Sequence, residues 1–268
     1  MTETTRRLAL EGSLNIRELG GHRTLSGQRV RPQRLLRGDS LHRLTPEAQQ
    51  QLLEYGLTTV LDLRQPDELQ QAPSVFAQHG RVTYLNLPLF AALAPEQLGQ
   101  GNQDLPALYC LTLDHCHAAI RRALTEIERA DGTVLFHCAV GKDRTGLLAA
   151  LLLGALGVSE QDIIADYAVS ARNLEPQFAP LLAQAAARGE DLQHLQHISR
   201  SDPEFMEHTL EHLRRTYGGI EGYYHFLGLD AGFITSLRSR FLEADGGQDT
   251  PAAARVPEEI PQETAPLG

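Results

Sequence analysis

The sequence predicts an α/β fold, a central, mostly parallel and twisted sheet flanked by helices. Three observations carry that expectation. β-Branched or apolar runs at 58–64, 82–89 and 133–136 alternate with stretches of helical periodicity. The runs at 58–64 and 133–136 are each followed closely by a helix start, at Pro66 and near Arg144. Polar side chains collect where these runs end, at Asp62, Arg64 and Cys138, and open α/β sheets place their sites at such strand ends. A chain of 268 residues, 42% hydrophobic and 22% charged, suits one large soluble domain or one domain with an insertion.

Residues 1–12 read as a lead-in to a domain over 13–244. The segment from Asn15 to Gln28 reads as a hairpin-like start turning at Ser26-Gly27, and 34–37 as a strand. Thr45-Pro46 is a cap and first-turn pair for a helix that Gly56 ends. The strand at 58–64 delivers Asp62 and Arg64, and a short helix covers 66–71. After the strand at 82–89, residues 90–106 hold two glycines and two prolines and read as a surface loop. Apolar spacing predicts one helix over 108–130, with Asp131-Gly132 turning into the strand at 133–136.

Beyond that strand, 146–156 is nearly all Leu, Ala and Gly and reads as a central buried helix. Ser159 caps a helix over 160–170, and residues 174–202 are a candidate helical cover. A helix over 204–217 and two short ones complete the domain near 243. Residues 245–268 carry four prolines, five acidic residues and one arginine, the composition of a disordered tail.

The segment from Thr133 to Gly146 organises the chain. A strand leads into a loop opening at Cys138, five residues separate Cys138 from Arg144, and a helix begins near Arg144. A loop of this size can wrap the N–H groups of Ala139, Val140, Gly141, Lys142 and Asp143 around one phosphate, with the helix N-terminus behind them. The same field, with His137 alongside, is expected to favour a Cys138 thiolate, and Arg144 can clamp two phosphate oxygens as a planar fork. Thr145 places a hydroxyl where it can support the thiolate. A nucleotide-binding loop is excluded, because Asp143 stands where Ser or Thr is needed and no glycine precedes Gly141 by five residues.

The run His137-Cys138-Ala-Val-Gly-Lys-Asp-Arg-Thr145-Gly146 resembles the signature loop of cysteine-dependent phosphatases. Its Gly-Lys-Asp-Arg-Thr-Gly form resembles the bacterial and fungal tyrosine, dual-specificity-like phosphatase family. Asn15-x-Arg-Glu-Leu-Gly-Gly21, Arg37-Gly-Asp-Ser40, Asp166-Tyr167-x-x-Ser170 and a C-terminal Tyr-Gly…Leu-Gly pattern resemble the same family, over residues 13–243. The resemblance implies the cysteine-phosphatase fold and phosphomonoester hydrolysis through a phosphocysteine on Cys138, with no metal or other cofactor. Phosphotyrosine is the implied substrate, and phosphoserine, phosphothreonine or phosphoinositides are further ones.

The general acid departs from the pattern. Smaller dual-specificity relatives carry an Asp after a strand like 82–89, where this chain has Phe90-Ala-Ala-Leu93. Asp143 and Asp62 are the two replacements, and Asp143 is preferred because lipid phosphatases with Asp-Arg-Thr loops carry a carboxylate there. Lys142 supplies a second loop cation, which favours multiply phosphorylated groups. The competing reading is a phosphate-binding pseudophosphatase, against which the intact Cys138, Arg144 and Thr145 weigh.

A net charge of −10 argues against a nucleic-acid binder and against attachment to an anionic membrane. Three cysteines give no disulfide framework and suit a reducing compartment. The N-terminus lacks an apolar signal core and no run reaches membrane-spanning length, so the cytoplasm is the expected location, with export by a signal-independent route left open. Two metal-like patterns are read as ordinary surface histidines. In Cys110, His115, Cys116 and His117 the two histidines point to different helix faces, and His208-x-x-Glu-His212 has no further ligands around it.

Overall fold

A computed structural model describes residues 6–93 and 104–244. In chain order its elements are β1 (Arg17–Glu18), β2 (Gln28–Val30), β3 (Leu35–Gly38), α1 (Pro46–Glu54), β4 (Leu57–Asp62), α2 (Pro66–Gln71) and β5 (Thr83–Asn86). Then follow α3 (Leu105–His115), α4 (His117–Arg129), β6 (Thr133–His137), α5 (Asp143–Ala155), α6 (Glu160–Ala187), α7 (Gln193–Ser199), α8 (Pro203–Tyr217), α9 (Ile220–Phe226), α10 (Ala231–Phe241) and β7 (Leu242–Ala244). The expected tail over 245–268, the first five residues of the lead-in and the centre of the loop over 90–106 lie outside the described residues.

The main sheet has the order β1-β3-β6-β4-β5, with β3, β6, β4 and β5 parallel and β1 antiparallel at the edge. The predicted α/β class with a mostly parallel sheet is therefore what the chain adopts. Strand side chains alternate between faces. Leu36, Val60 and Leu135 point into a smaller core with Leu52 and Phe76, on the side of α1. Leu35, Leu61, Val134 and Phe136 point into the larger core, with Leu147 to Leu153 of α5 at its centre. The helix α5 is apolar on all sides because it is covered on all sides.

Several caps stand as the residues predict. The Thr45 side chain accepts from the Ala48 N–H, and the Ser159 side chain accepts from the Asp162 N–H. Two expectations are corrected. The helix over 108–130 is two helices, broken at Cys116, whose backbone leaves the helical region at φ −98° and ψ 31°. The break lets α3 pack on α8 while α4 packs on α5 and α10, which one straight rod could not do. The helix expected to stop near Ser170 continues as α6 to Ala187 through Pro176 and Pro180. Each proline removes one helical hydrogen bond, and burial of Leu174, Phe178 and Ala185 holds the helix together across them. The hairpin-like start turning at Ser26-Gly27 stands, with Arg23 bridging Arg29 antiparallel and Thr24 N–H donating to the Gln28 carbonyl at 2.9 Å, and β2 also pairs with β7 from the chain's other end. Among the described residues no helix is long and apolar enough to cross a membrane.

Candidate active site

The central strand β6 ends at His137, opposite Gly38 of β3 and Asp62 of β4, so three parallel strands finish side by side. The chain then turns through Cys138 to Lys142 and enters α5 at Asp143. Gly141 makes the turn possible. Its φ is +72°, and a Cβ there would lie 2.4 Å from the Gly38 carbonyl carbon and oxygen and 2.7 Å from the Asp39 nitrogen. The back of the loop thus rests directly on the end of β3. Cys138 is buried at its start, and the N-terminus of α5 stands behind it.

Arg144, in the first turn of α5, is only 11% exposed. Its two terminal nitrogens donate to the two carboxylate oxygens of Glu68 on α2, one bond measuring 2.9 Å, and its guanidinium lies 5.1 Å from the centre of the Phe90 ring. Glu68 takes one edge of the fork, and among the described residues the other N–H groups of the Arg144 guanidinium find no acceptor. Burial would raise the Glu68 carboxyl pKa, but Arg144 outweighs it and holds the group below the usual carboxylate range. A depressed carboxyl keeps its ion pair above the ordinary value of 4.5 and loses it only as pH falls through the lowered one. Glu68→Gln keeps the shape and removes the charge. It is expected to lower kcat/KM about tenfold, about 1.4 kcal/mol of transition-state stabilisation, at every pH above 5 in steady-state aryl-phosphate kinetics. More than half of wild-type kcat/KM would remove the positioning role.

The geometry corrects the reading of Asp62. Its carboxylate is 0% exposed, and it accepts from Arg64 Nε at 2.9 Å, Arg64 Nη2 at 2.6 Å and the Tyr84 hydroxyl at 2.8 Å. Burial pushes its pKa up, but His137, Arg64 and Tyr84 together hold it below the ordinary range. A buried carboxylate held ionised by bonds to both its oxygens is poorly suited to give a proton. Arg64 is equally committed, donating also to Ser40 Oγ and the Ala72 carbonyl, each at 2.8 Å.

His137 lies in the same buried network. Its ring is fully buried, with Nδ1 donating to the Cys138 carbonyl at 3.0 Å and Nε2 lying 3.3 Å from Asp62 Oδ2. Burial lowers its pKa, opposed by Asp62 and that carbonyl. Its part is to hold the loop's first carbonyl.

Asp143 differs from Asp62 in being reachable, with 22% of its side chain exposed. Oδ1 accepts from the Tyr109 hydroxyl, which in turn lies 2.7 Å from the Tyr167 hydroxyl, and stands 3.4 Å from Lys142 Nζ. Lys142 does not face outward as a second substrate cation. Its ammonium is 1% exposed and donates to the carbonyls of Ile198 and Arg200, both at 2.7 Å, where α7 ends. The loop thereby caps the C-terminal end of the segment expected to cover it. Thr145 is fully buried, and among the described residues its hydroxyl has no hydrogen-bond partner.

Glu68 and Tyr109 escaped the sequence reading. Glu68 lies one turn into the helix that follows β4, close behind Asp62 and Arg64, and that placement was its available signal. Tyr109 lies on one helical face with Leu105, Leu108, Thr112 and Leu113, and nothing in that face marks a polar role. His212 Nε2 bonds Asp114 at 2.7 Å, His117 packs edge-on against Phe226, and among the described residues no three His, Cys, Asp or Glu side chains gather as ligands would.

A cysteine and an arginine set about a helix N-terminus, at the carboxyl edge of a parallel sheet, define a cysteine-based phosphatase. The chain belongs to the tyrosine phosphatase family, whose sequence pattern matches residues 8–243, and it is a protein-tyrosine phosphatase. It is 31% identical to a tyrosine-protein phosphatase of Nostoc commune over 78% of this chain and 74% of that one. It is 26% identical to the triple specificity protein phosphatase PtpB of Mycobacterium tuberculosis, over 87% of this chain and 98% of that one. Among solved structures, TpbA of P. aeruginosa is similar at 18% identity and a TM-score of 0.32, over 75% of this chain and 91% of that one.

Proposed function

We propose that the enzyme hydrolyses phosphotyrosine in two steps. The Cys138 thiolate attacks phosphorus in line, the tyrosyl oxygen leaves with a proton, and water then releases phosphate from the phosphocysteine. There is little covalent work for the protein beyond the nucleophile, so the rate comes from positioning and charge stabilisation. The observation that carries this reading is Arg144, fixed by Glu68 and Phe90 on the turn that follows Cys138, with donors left for an oxyanion. The unpartnered Thr145 hydroxyl is assigned to the thiolate. Lys142, the residue that would favour inositol headgroups, is taken up by the Ile198 and Arg200 carbonyls, which supports a monophosphorylated aryl substrate over a phosphoinositide. The direct test is acid quenching during aryl-phosphate turnover, followed by peptide mass analysis. A phosphoryl group on the Cys138 peptide is expected, and its absence in an active sample would overturn the two-step route.

Asp143 is assigned as general acid and Asp62 as a positioning residue. Asp143→Asn is expected to slow poor leaving groups such as alkyl phosphates by about 10²-fold, a typical contribution of general acid catalysis. The penalty should shrink as the leaving-group pKa falls, and the basic limb of the pH–rate profile should flatten. Asp62→Asn should cut all substrates alike. A uniform loss in Asp143→Asn across a series of aryl phosphates would sink the assignment.

A further inference from the structure

Four consecutive carbonyls of the loop are each held by a different donor on its far side. The Cys138 oxygen accepts from His137 Nδ1 at 3.0 Å, and the Ala139 oxygen from the Ser40 N–H at 2.9 Å. The Val140 oxygen accepts from Asn15 Nδ2 at 2.9 Å, and the Gly141 oxygen from Arg37 Nη2 at 2.8 Å. A trans peptide is planar, with its carbonyl and N–H pointing in opposite directions. Pinning these four oxygens backward therefore aims the N–H groups of Ala139, Val140, Gly141 and Lys142 forward. Among the described residues none of those four N–H groups donates to a protein acceptor.

The two side-chain pins on the N-terminal segment are themselves fixed. Asn15 Oδ1 accepts from Arg17 at 2.6 Å and from Asn173 at 3.1 Å, which settles which way its amide faces. Arg37 Nη1 donates to Asp166 Oδ2 at 2.6 Å, and Asp166 also takes Arg17 Nε at 3.2 Å. All of these side chains are buried. Asn15, Arg37 and the Gly38–Ser40 turn thus form a template on which the anion cradle is laid.

We infer that Asn15 and Arg37 are positioning residues for the phosphate-binding loop, acting through its backbone and never touching substrate. This rests on the proposed use of the loop to bind phosphate. It also gives a task to the N-terminal Asn-x-Arg-Glu-Leu-Gly-Gly segment, which sequence similarity alone leaves without one. Arg37→Lys keeps a cation for Asp166 but cannot serve both the carboxylate and the loop with one rigid fork. Asn15→Leu removes the donor to Val140 while keeping the size. Asn173→Ala is the control, since it loosens the same network without removing a loop bond.

The test measures thermal unfolding and inorganic phosphate binding side by side, with KM and kcat on an aryl phosphate. A residue that only stabilises the fold lowers Tm and leaves the phosphate-induced rise in Tm intact, whereas a cradle residue diminishes that rise. Arg37→Lys and Asn15→Leu are expected to weaken phosphate at least about tenfold, a rise of about 1.4 kcal/mol in binding free energy, and to raise KM as well as lower kcat. Asn173→Ala should lower Tm and keep phosphate affinity within about twofold of wild type, less than about 0.5 kcal/mol. Folded Arg37→Lys or Asn15→Leu protein with wild-type phosphate affinity overturns the inference. Whatever the variants do, phosphate should slow amide exchange at Ala139 to Lys142 in the wild-type protein, and unchanged exchange there with phosphate bound also overturns it. If wild-type protein binds no phosphate at all, it is the proposed function that falls.

Discussion

Cys138→Ser is expected to lower aryl-phosphate turnover by at least about 10⁴-fold, on the scale seen when a covalent nucleophile is removed, while the protein still binds inorganic phosphate. The two halves of that expectation come from separable parts. Nucleophilicity needs a thiolate, and a serine hydroxyl in the same place remains protonated in the pH range where a thiol can ionise. Binding needs the loop N–H groups and Arg144, whose positions depend on Glu68, Ser40, Asn15 and Arg37 and not on the Cys138 sulfur. Ser is slightly smaller than Cys, so the buried pocket accepts it without overpacking. Calorimetry with phosphate and a stopped assay on the same preparation decide the matter. Residual turnover above about 1% of wild type would mean that another group attacks phosphorus, since a lost covalent nucleophile costs far more than 10². Loss of phosphate binding together with activity would mean that the sulfur itself organises the loop.

Those separable parts differ in how far the sequence announces them. The strands β4 and β6 are visible because they are apolar runs buried on both faces, and the site loop is visible because nucleophile, glycine and arginine are close neighbours in the chain. Local information carries that far. What fixes the loop is long-range. Glu68 lies 76 positions from Arg144, Arg37 lies 104 from Gly141, and Asn15 lies 125 from Val140. No periodicity or spacing connects such pairs. The same limit explains Lys142, which by composition belongs in solvent and by structure ends under α7, because the carbonyls that take it, in the last turn of α7 and just past its end, lie 56 and 58 residues later.

Element boundaries failed where tertiary packing overrode punctuation. Pro176 and Pro180 normally mark a helix end, yet α6 runs through both, since Leu174, Phe178 and Ala185 on one face are buried while the prolines themselves face solvent. Conversely the chain breaks at Cys116, where neither proline nor glycine stands. Asp62 was visible as a strand-end carboxylate, and its role was not, because that depends on Arg64, Tyr84 and His137 closing every direction around it.

Asp166→Asn is expected to cost about 3–5 kcal/mol at pH 7, the usual range for breaking a buried ion pair from one side. The carboxylate on α6 is fully buried between Arg17 Nε at 3.2 Å and Arg37 Nη1 at 2.6 Å. Burial by itself would raise its pKa, and Arg17 and Arg37 reverse this so strongly that the group stays ionised far below the usual carboxylate range. Arg17 shows the opposite strain, lowered to about 10 chiefly by burial and next by Arg37, with Asp166 opposing both. An amide in place of Asp166 would leave two buried guanidinium groups facing each other without their common counter-ion. The pH dependence has a definite sign. A carboxyl depressed in the folded state contributes fully above its unfolded value of 3.8 and loses that contribution as pH falls toward the folded one. The gap between wild type and Asp166→Asn in urea unfolding should therefore be flat from pH 7 down to about 5 and narrow below about 4, as the unfolded wild-type chain takes up its proton. At pH 7 the melting temperature should drop by about 6–20 °C, at roughly 2–4 °C per kcal/mol for a domain of this size. A gap under about 1 kcal/mol at pH 7, the worth of an exposed surface pair, would show that Asp166 does not neutralise the pair. A gap that widens on acidification would give the linkage the wrong sign and rule out the depressed carboxylate as its source.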